Sequence, residues 1–200
     1  IVGLAGLMGS GRSELARILF GLDPHASGQI VLGGERIDRL STRDRIKRGM
    51  AFVTESRRDD GLFIEQPIDP NLSIVSPRSG ALDALVKSLQ VRFSNRQEQP
   101  VKQLSGGNQQ KIALGKWLVS TPRVLILDEP TRGIDVGAKL EIYRIIQDLA
   151  QQGVAVLMIS SEMEELIGTC DRIAVMRKGE LQSSFEMTRF DREEILRAAL

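Results

Sequence analysis

The opening of the chain constrains its fold most. Ile1-Val2-Gly3-Leu4-Ala5 is a short apolar run of strand character, and the turn Gly6-Leu7-Met8-Gly9-Ser10-Gly11 follows at once. From about Ser13 the apolar residues Leu15, Ile18, Leu19 and Leu22 recur on one side of a helix. Strand, glycine turn and helix in direct succession begin an α/β unit, which buries its apolar surfaces only beside further strands.

The rest of the chain supplies them. Short strands are expected near Gln29 to Leu32 and Met50 to Thr54, separated by a charged helix starting at the Ser41-Thr42 cap. Residues Glu55 to Pro70 read as loop, and Asn71 to Gln103 hold one helical stretch, Ala81 to Leu89, amid Pro, Ser and Asn. From Gly106 the rhythm returns: a helix to Val119, an apolar run Val124 to Leu127, a helix with Val136, Leu140, Tyr143, Ile146 and Ala150, then Val154 to Ile159. Apolar runs without alternation point to a mostly parallel sheet buried on both faces. A strand pair around Arg177-Lys178-Gly179 and a helix from about Asp191 close the chain, with no internal repeat. The length, with 42% apolar residues, suits one domain with a small helical appendage.

Some function classes are disfavoured. With 27 basic and 26 acidic residues and no run of like charge, nucleic acid is not an expected partner. Cys170 stands alone, so no internal disulfide forms; it reads as a small core residue in a reducing compartment. No apolar stretch is long enough to cross a bilayer, so a membrane role would come through a partner. The chain begins inside a strand and without Met, which reads as a fragment of a longer protein.

Three segments carry chemistry. Gly6 to Ser13, with glycines at 6, 9 and 11, Ser10 between them and Arg12 before Ser13, has the context of a phosphate-binding loop, whose N–H groups favour anionic oxygens. Arg12 stands where such loops carry lysine, and a planar guanidinium does not reproduce an ammonium's point contact. On its own the loop also reads as a packing turn or a dinucleotide loop. Val124-Leu125-Ile126-Leu127-Asp128-Glu129 is an apolar strand ending in two carboxylates, where Asp128 and the Ser13 hydroxyl can hold Mg²⁺ while Glu129 orients or deprotonates water. Leu104-Ser105-Gly106-Gly107-Asn108 opens a helix, so a hydroxyl and glycine N–H groups meet at a positive helix end that a phosphate can approach. Of the remaining candidates, His25 reads as an exposed turn residue, and Trp117 as core with Ile112, Leu114 and Leu118.

In this order the segments resemble the ABC ATPase family over nearly the whole chain. GLMGSGRSE, FVTESRRDDGLF, NLSI, LSGGNQQK, DEPTRGIDVGAK and ISSE are together similar to the carboxy-terminal ATPase copy of bacterial ribose, galactose, xylose or autoinducer importers. The resemblance implies a P-loop NTPase fold in which residues 71–118 form a helical subdomain carrying the signature motif, with two earlier antiparallel strands outside this chain. It implies ATP and Mg²⁺ as cofactors, Glu129 as catalytic, Glu55 at the nucleotide-sensing position usually held by glutamine, Asp135 facing a dimer partner, and Ser161 at the usual switch histidine. The segment between Asn71 and Leu104 is shorter than such importers lead one to expect.

The resemblance further implies a second ABC ATPase half, a transmembrane permease, indirectly a periplasmic sugar-binding protein, and a peripheral place on the cytoplasmic face of the inner membrane. With Arg12 and Ser161 departing from the family pattern, the chain's own site is expected to turn over poorly while Ser105, Gly106 and Gly107 complete the partner's site. Competing readings are a non-transport ABC ATPase of DNA repair or ribosome handling, a non-hydrolysing regulatory domain, a nicotinamide-binding domain, and a remnant that does not fold alone.

Overall fold

The computed structural model describes residues 1–76 and 82–200 in two compact units. The first comprises residues 1–52, 123–128 and 155–200. Its sheet contains β1 (Val2–Ala5), β4 (Met50–Val53), β5 (Val124–Asp128), β6 (Ala155–Ile159), β7 (Arg172–Arg177) and β8 (Glu180–Glu186) in the order β4-β5-β6-β1-β7-β8. Strands β5, β6, β1 and β7 run parallel, and β8 returns antiparallel to β7 through the expected turn at Lys178-Gly179. Leu125, Ile126, Leu127, Met158 and Ile159 are buried, as runs with both faces covered require.

Register fixes what gathers at one edge of this sheet. Leu4 is paired with Ile159, and Ile159 with Asp128, so Gly6, Asp128 and Ser160 all emerge from the carboxyl ends of adjacent strands. With neighbouring strands about 4.8 Å apart, Leu4 and Asp128 lie roughly 10 Å from each other. The first strand sits between the sixth and seventh, the kind of order reversal at which open α/β sheets bind ligands.

Helix α1 (Arg12–Phe20) packs on β5, and Phe20 meets Phe52 with ring centroids 5.4 Å apart. Its carboxyl end is held by Arg45 of α2 (Thr42–Lys47), which donates to the carbonyls of Ile18 (2.8 Å), Leu19 (2.7 Å), Asp38 (3.0 Å) and Leu40 (3.2 Å). The expected cap of α2 is present: the Ser41 hydroxyl accepts the Asp44 N–H. The small hairpin β2 (Val31–Leu32) and β3 (Glu35–Arg36) turns at Gly33-Gly34, both at positive φ, as a two-residue hairpin needs. Cys170 is core, its thiol pushed up to about 12 by burial, and a side chain at Gly3 would meet its Sγ at 2.8 Å.

The second unit comprises residues 53–122 and 129–154. Here the expected loop from Glu55 to Pro70 is corrected: a π-helical turn spans Arg57–Gly61, and α3 (Ile68–Ser73) begins after Pro67. Pro70 lies in the first turn of α3, where no intrahelical bond is lost to its missing N–H. The helix expected at Ala81 to Leu89 is α4 (Leu82–Ser88); Ala81 lies outside the described residues. Helices α3 and α4 pack on α5 (Gly106–Leu118), which also packs on α6 (Val136–Gln151). In the first unit, α7 (Met163–Thr169) packs on β1 and α8 (Arg192–Ala199) on β7 and β8; α8 begins where expected and is capped by Asp191. Among the described residues no helix is long and apolar enough to cross a membrane.

Candidate functional site

In the first unit the loop from Gly6 to Gly11 is shaped by its glycines. Gly6, Gly9 and Gly11 have φ of 155°, 76° and 97°, which bends the chain so that the Ser10 N–H donates to the Leu7 carbonyl at 3.0 Å. A Cβ at Gly6 would stand 2.4 Å from the Met176 carbonyl oxygen and 2.5 Å from Ser10 Oγ, so only glycine fits. At Gly9 a Cβ would meet nothing within 4 Å, leaving the backbone open to approach. Ser10 Oγ is buried and finds no hydrogen-bond partner among the described residues. An open backbone with a spare hydroxyl ahead of the amino end of α1 fits a phosphate chain.

Arg12, in the lysine place, is nearly buried, and its Nη1 donates to the Ser160 carbonyl at 2.7 Å. Ser160 is itself fixed: its hydroxyl donates to Glu165 Oε2 at 2.7 Å and accepts the Glu162 N–H at 3.0 Å. The guanidinium thus ties the start of α1 to the residue preceding Ser161, which is exposed. Asp128 is buried at the end of β5, and Ser13 is the second residue of α1. A carboxylate and a hydroxyl are oxygen donors of the kind that Mg²⁺ takes. Glu129, the next residue, holds φ of 49°, a strained value of the kind found where function over-determines the backbone.

In the second unit the signature segment is built around Ser105, the N-cap of α5. Asn108 fixes that hydroxyl: its Nδ2 donates to Ser105 Oγ at 2.9 Å, while its Oδ1 accepts the Arg92 N–H at 2.9 Å. A backbone N–H only donates, so the orientation of the Asn108 amide is determined. With its oxygen accepting from Asn108, the exposed Ser105 hydroxyl is left to donate outward. Leu104 is buried, and buried Gln109 holds the approach by donating to the carbonyls of Leu104 (3.0 Å) and Val101 (3.3 Å).

Gly106 and Gly107 differ in what demands them. A Cβ at Gly107 would lie 2.4 Å from the Cβ of Ala138 on α6, so this glycine is required by the crossing of two helices. A Cβ at Gly106 would lie 3.0 Å from Arg57 Nη2. Asp135 caps α6 by accepting the Ala138 N–H at 2.9 Å and is exposed. Glu55 is exposed and ion-pairs with Arg132. Trp117 and Ile112 are buried as expected, and Lys116 Nζ lies 5.4 Å from the Trp117 ring centre while donating to the Gly61 carbonyl. Burial pushes Lys116 down to about 8. The roles of Arg57, Gln109 and Lys116 give no signal in the sequence, because a polar residue between others reads as solvated surface until the fold closes over it.

The ABC transporter family profile matches residues 1–132. The chain is 43% identical to a ribose import ATP-binding protein of Geobacillus kaustophilus, matched over all of this chain and 43% of that protein. It is 45% identical to a putative ribose/galactose/methyl galactoside import ATP-binding protein of Agrobacterium fabrum, over all of this chain and 42% of that protein. The chain therefore spans about two-fifths of the length of the curated relatives it matches. Among solved structures, a nucleotide-free ATP-binding cassette from an ABC transporter superposes with TM-score 0.83 at 18% identity, covering 99% of this chain and 83% of that one. A dimeric cassette in a post-hydrolysis state with ADP and Pi superposes with TM-score 0.82 at 20% identity, covering 95% and 86%. At these identities the superpositions establish the fold.

Proposed function

The chain belongs to the ABC transporter family, and from that premise we propose that it is the ATP-binding half of a sugar importer that contributes more to a partner's ATP site than to its own. The sugar import named for the relatives supports the cargo class, with a transmembrane permease, and through it a periplasmic sugar-binding protein, as partners. The half acts from the cytoplasmic face of the membrane.

The observation that carries the unequal sites is Arg12. In a phosphate loop the lysine ammonium is a mobile point charge for the terminal phosphates. Here the charge is nearly buried and committed at Nη1 to the Ser160 carbonyl. The loop keeps its N–H cradle, so this half binds nucleotide, while the group that would follow charge developing on the transferred phosphoryl is held elsewhere. Bound ATP and Mg²⁺ would supply the phosphoanhydride and its electrostatic activation. Asp128 and Ser13 would hold the metal, and Glu129 would orient water. Glu55 would sense the nucleotide, and Asp135 would face the partner. Ser105, with its oxygen occupied by Asn108, would give its proton to the phosphate bound by the other half, beside the N–H groups of Gly106 and Gly107.

The test compares Arg12→Ala with Ser105→Arg in the full-length protein assembled with its permease. Turnover is expected to survive the first and collapse in the second. Near-total loss from Arg12→Ala with none from Ser105→Arg would overturn the assignment, and failure to co-purify with a permease would overturn the transport reading.

A further inference from the structure

In the second unit the segment after α4 runs along one side of α5, turn by turn. A Cβ at Gly115 would lie 2.8 Å from Leu89 Cδ1, Lys111 Nζ donates to the Gln90 carbonyl at 3.0 Å, and the Arg92 N–H donates to Asn108 Oδ1 at 2.9 Å. Residues 115, 111 and 108 follow at helical spacing, so they share one face of α5. The segment thus ends at the amino end of that helix, on the amide whose Nδ2 donates to Ser105 Oγ.

Its course depends on Gln90. This residue has φ of 50°, a left-handed conformation that its side chain opposes, and Val91 and Arg92 take their direction from it. Lys111 is what holds it there. The lysine is 2% exposed, and its ammonium is shared between the Gln90 carbonyl and Glu141 Oε2 of α6, the latter at 2.6 Å. One turn earlier on each helix, Gly107 meets Ala138, so the anchor on α6 is itself fixed by the crossing. Apolar side chains of similar volume often replace a buried ion pair at little cost, so stability alone does not account for this one.

We propose that Lys111 is a positioning residue for the signature serine. By holding the Gln90 carbonyl it places the Arg92 N–H; that donor orients the Asn108 amide, and the amide orients Ser105. The proposal rests on the reading of Ser105 given above.

The experiment measures kcat for ATP in the full-length protein assembled with its permease, for wild type, Lys111→Met, Asn108→Ala and the double variant. It also measures hydrogen exchange at Arg92 in the full-length protein. Glu141 is 35% exposed, so its carboxylate meets water once Lys111 is gone. Lys111→Met is expected to lower kcat several-fold, and the double variant to be no slower than Asn108→Ala, because both act through one hydroxyl. Exchange at Arg92 is expected to rise roughly tenfold while the amides of α5 keep their rates. Arg92→Pro, at an exposed residue, removes the N–H alone, and is expected to give the same non-multiplying loss where Lys111→Met does not fold. Losses that multiply with Asn108→Ala overturn the proposal, as does wild-type kcat in Lys111→Met while Asn108→Ala is slow. Unchanged kcat in Asn108→Ala sinks the reading of Ser105 instead; exchange then decides, and wild-type protection at Arg92 in Lys111→Met overturns the positioning role.

Discussion

Replacing Gly107 by alanine separates two reasons for a glycine in the signature segment. One is the approach of a phosphate to bare backbone; the other is the helix crossing seen here. The added methyl would lie 2.4 Å from the Ala138 methyl, whereas carbons settle about 3.5–4.0 Å apart. Helices α5 and α6 must therefore part by more than about 1 Å at that point, and overpacking of this kind costs about 1–3 kcal/mol. Alanine returns up to about 1 kcal/mol through its better helix propensity. The expected net loss is about 1–2 kcal/mol, or roughly 2–8 °C in Tm for a chain of this size. Removing the opposing methyl should restore the space, so the Gly107→Ala/Ala138→Gly pair should be coupled by at least 1 kcal/mol in urea unfolding. Additivity within about 0.5 kcal/mol would refute the packing argument. A variant with full stability and lost ATPase activity would assign the glycine to the phosphate instead.

Asn108→Ala removes the side-chain donor to Ser105 Oγ and leaves only the longer backbone one, and on the proposed function kcat of the assembly with its permease is expected to fall several-fold with little change in Tm; an unchanged kcat removes the Asn108 side chain from the site. Arg45→Met strands four carbonyls that the guanidinium now satisfies, for an expected loss of about 3–5 kcal/mol in urea unfolding, and a loss under 1 kcal/mol would contradict its capping role. Lys116 is pushed from 10.5 to about 8 in the folded state, so the unfolded chain holds more protons between these values and stability from this site rises with pH across that window. The stability of wild type relative to Lys116→Met should grow by up to about 3 kcal/mol from pH 8 to 10.5, and a flat difference refutes it. Cys170, buried and with its thiol raised to about 12, should resist alkylation until the protein is unfolded; rapid labelling of native protein would show that the site opens.

The fold was legible wherever a segment's own pattern agrees with its burial. Val124–Asp128 and Ala155–Ile159 are apolar on both faces because both faces are covered, and caps at Ser41 and Asp191 announce their helices. The turn at Arg57–Gly61 and helix α3 were not legible. Arg-Arg-Asp-Asp carries no apolar period, and the prolines at 67 and 70 read as breakers although Pro70 falls in the one turn that tolerates it. Helix α7 escaped for a similar reason: it is short, contains Gly168, and buries Glu165 beside Leu166, which erases its apolar face.

The candidate site divides along the same line. Contiguous motifs disclose which backbone is bent and which residue type stands at each position, so Gly6, Gly9 and Gly11 could be read as a cradle and Arg12 as a substitution. What the letters do not carry is where a long side chain is committed. Arg12 reaches Ser160 across 148 residues of sequence, and Arg57 reaches Arg132 and Gly133 across 75 and 76. These contacts are to backbone carbonyls, which every residue possesses, so no pairing of residue types could have pointed to them. The same fact gives them their leverage. A carbonyl clamp fixes where a guanidinium lies without requiring a carboxylate, as the Arg132 and Gly133 carbonyls do for Arg57 beside the amino end of α5.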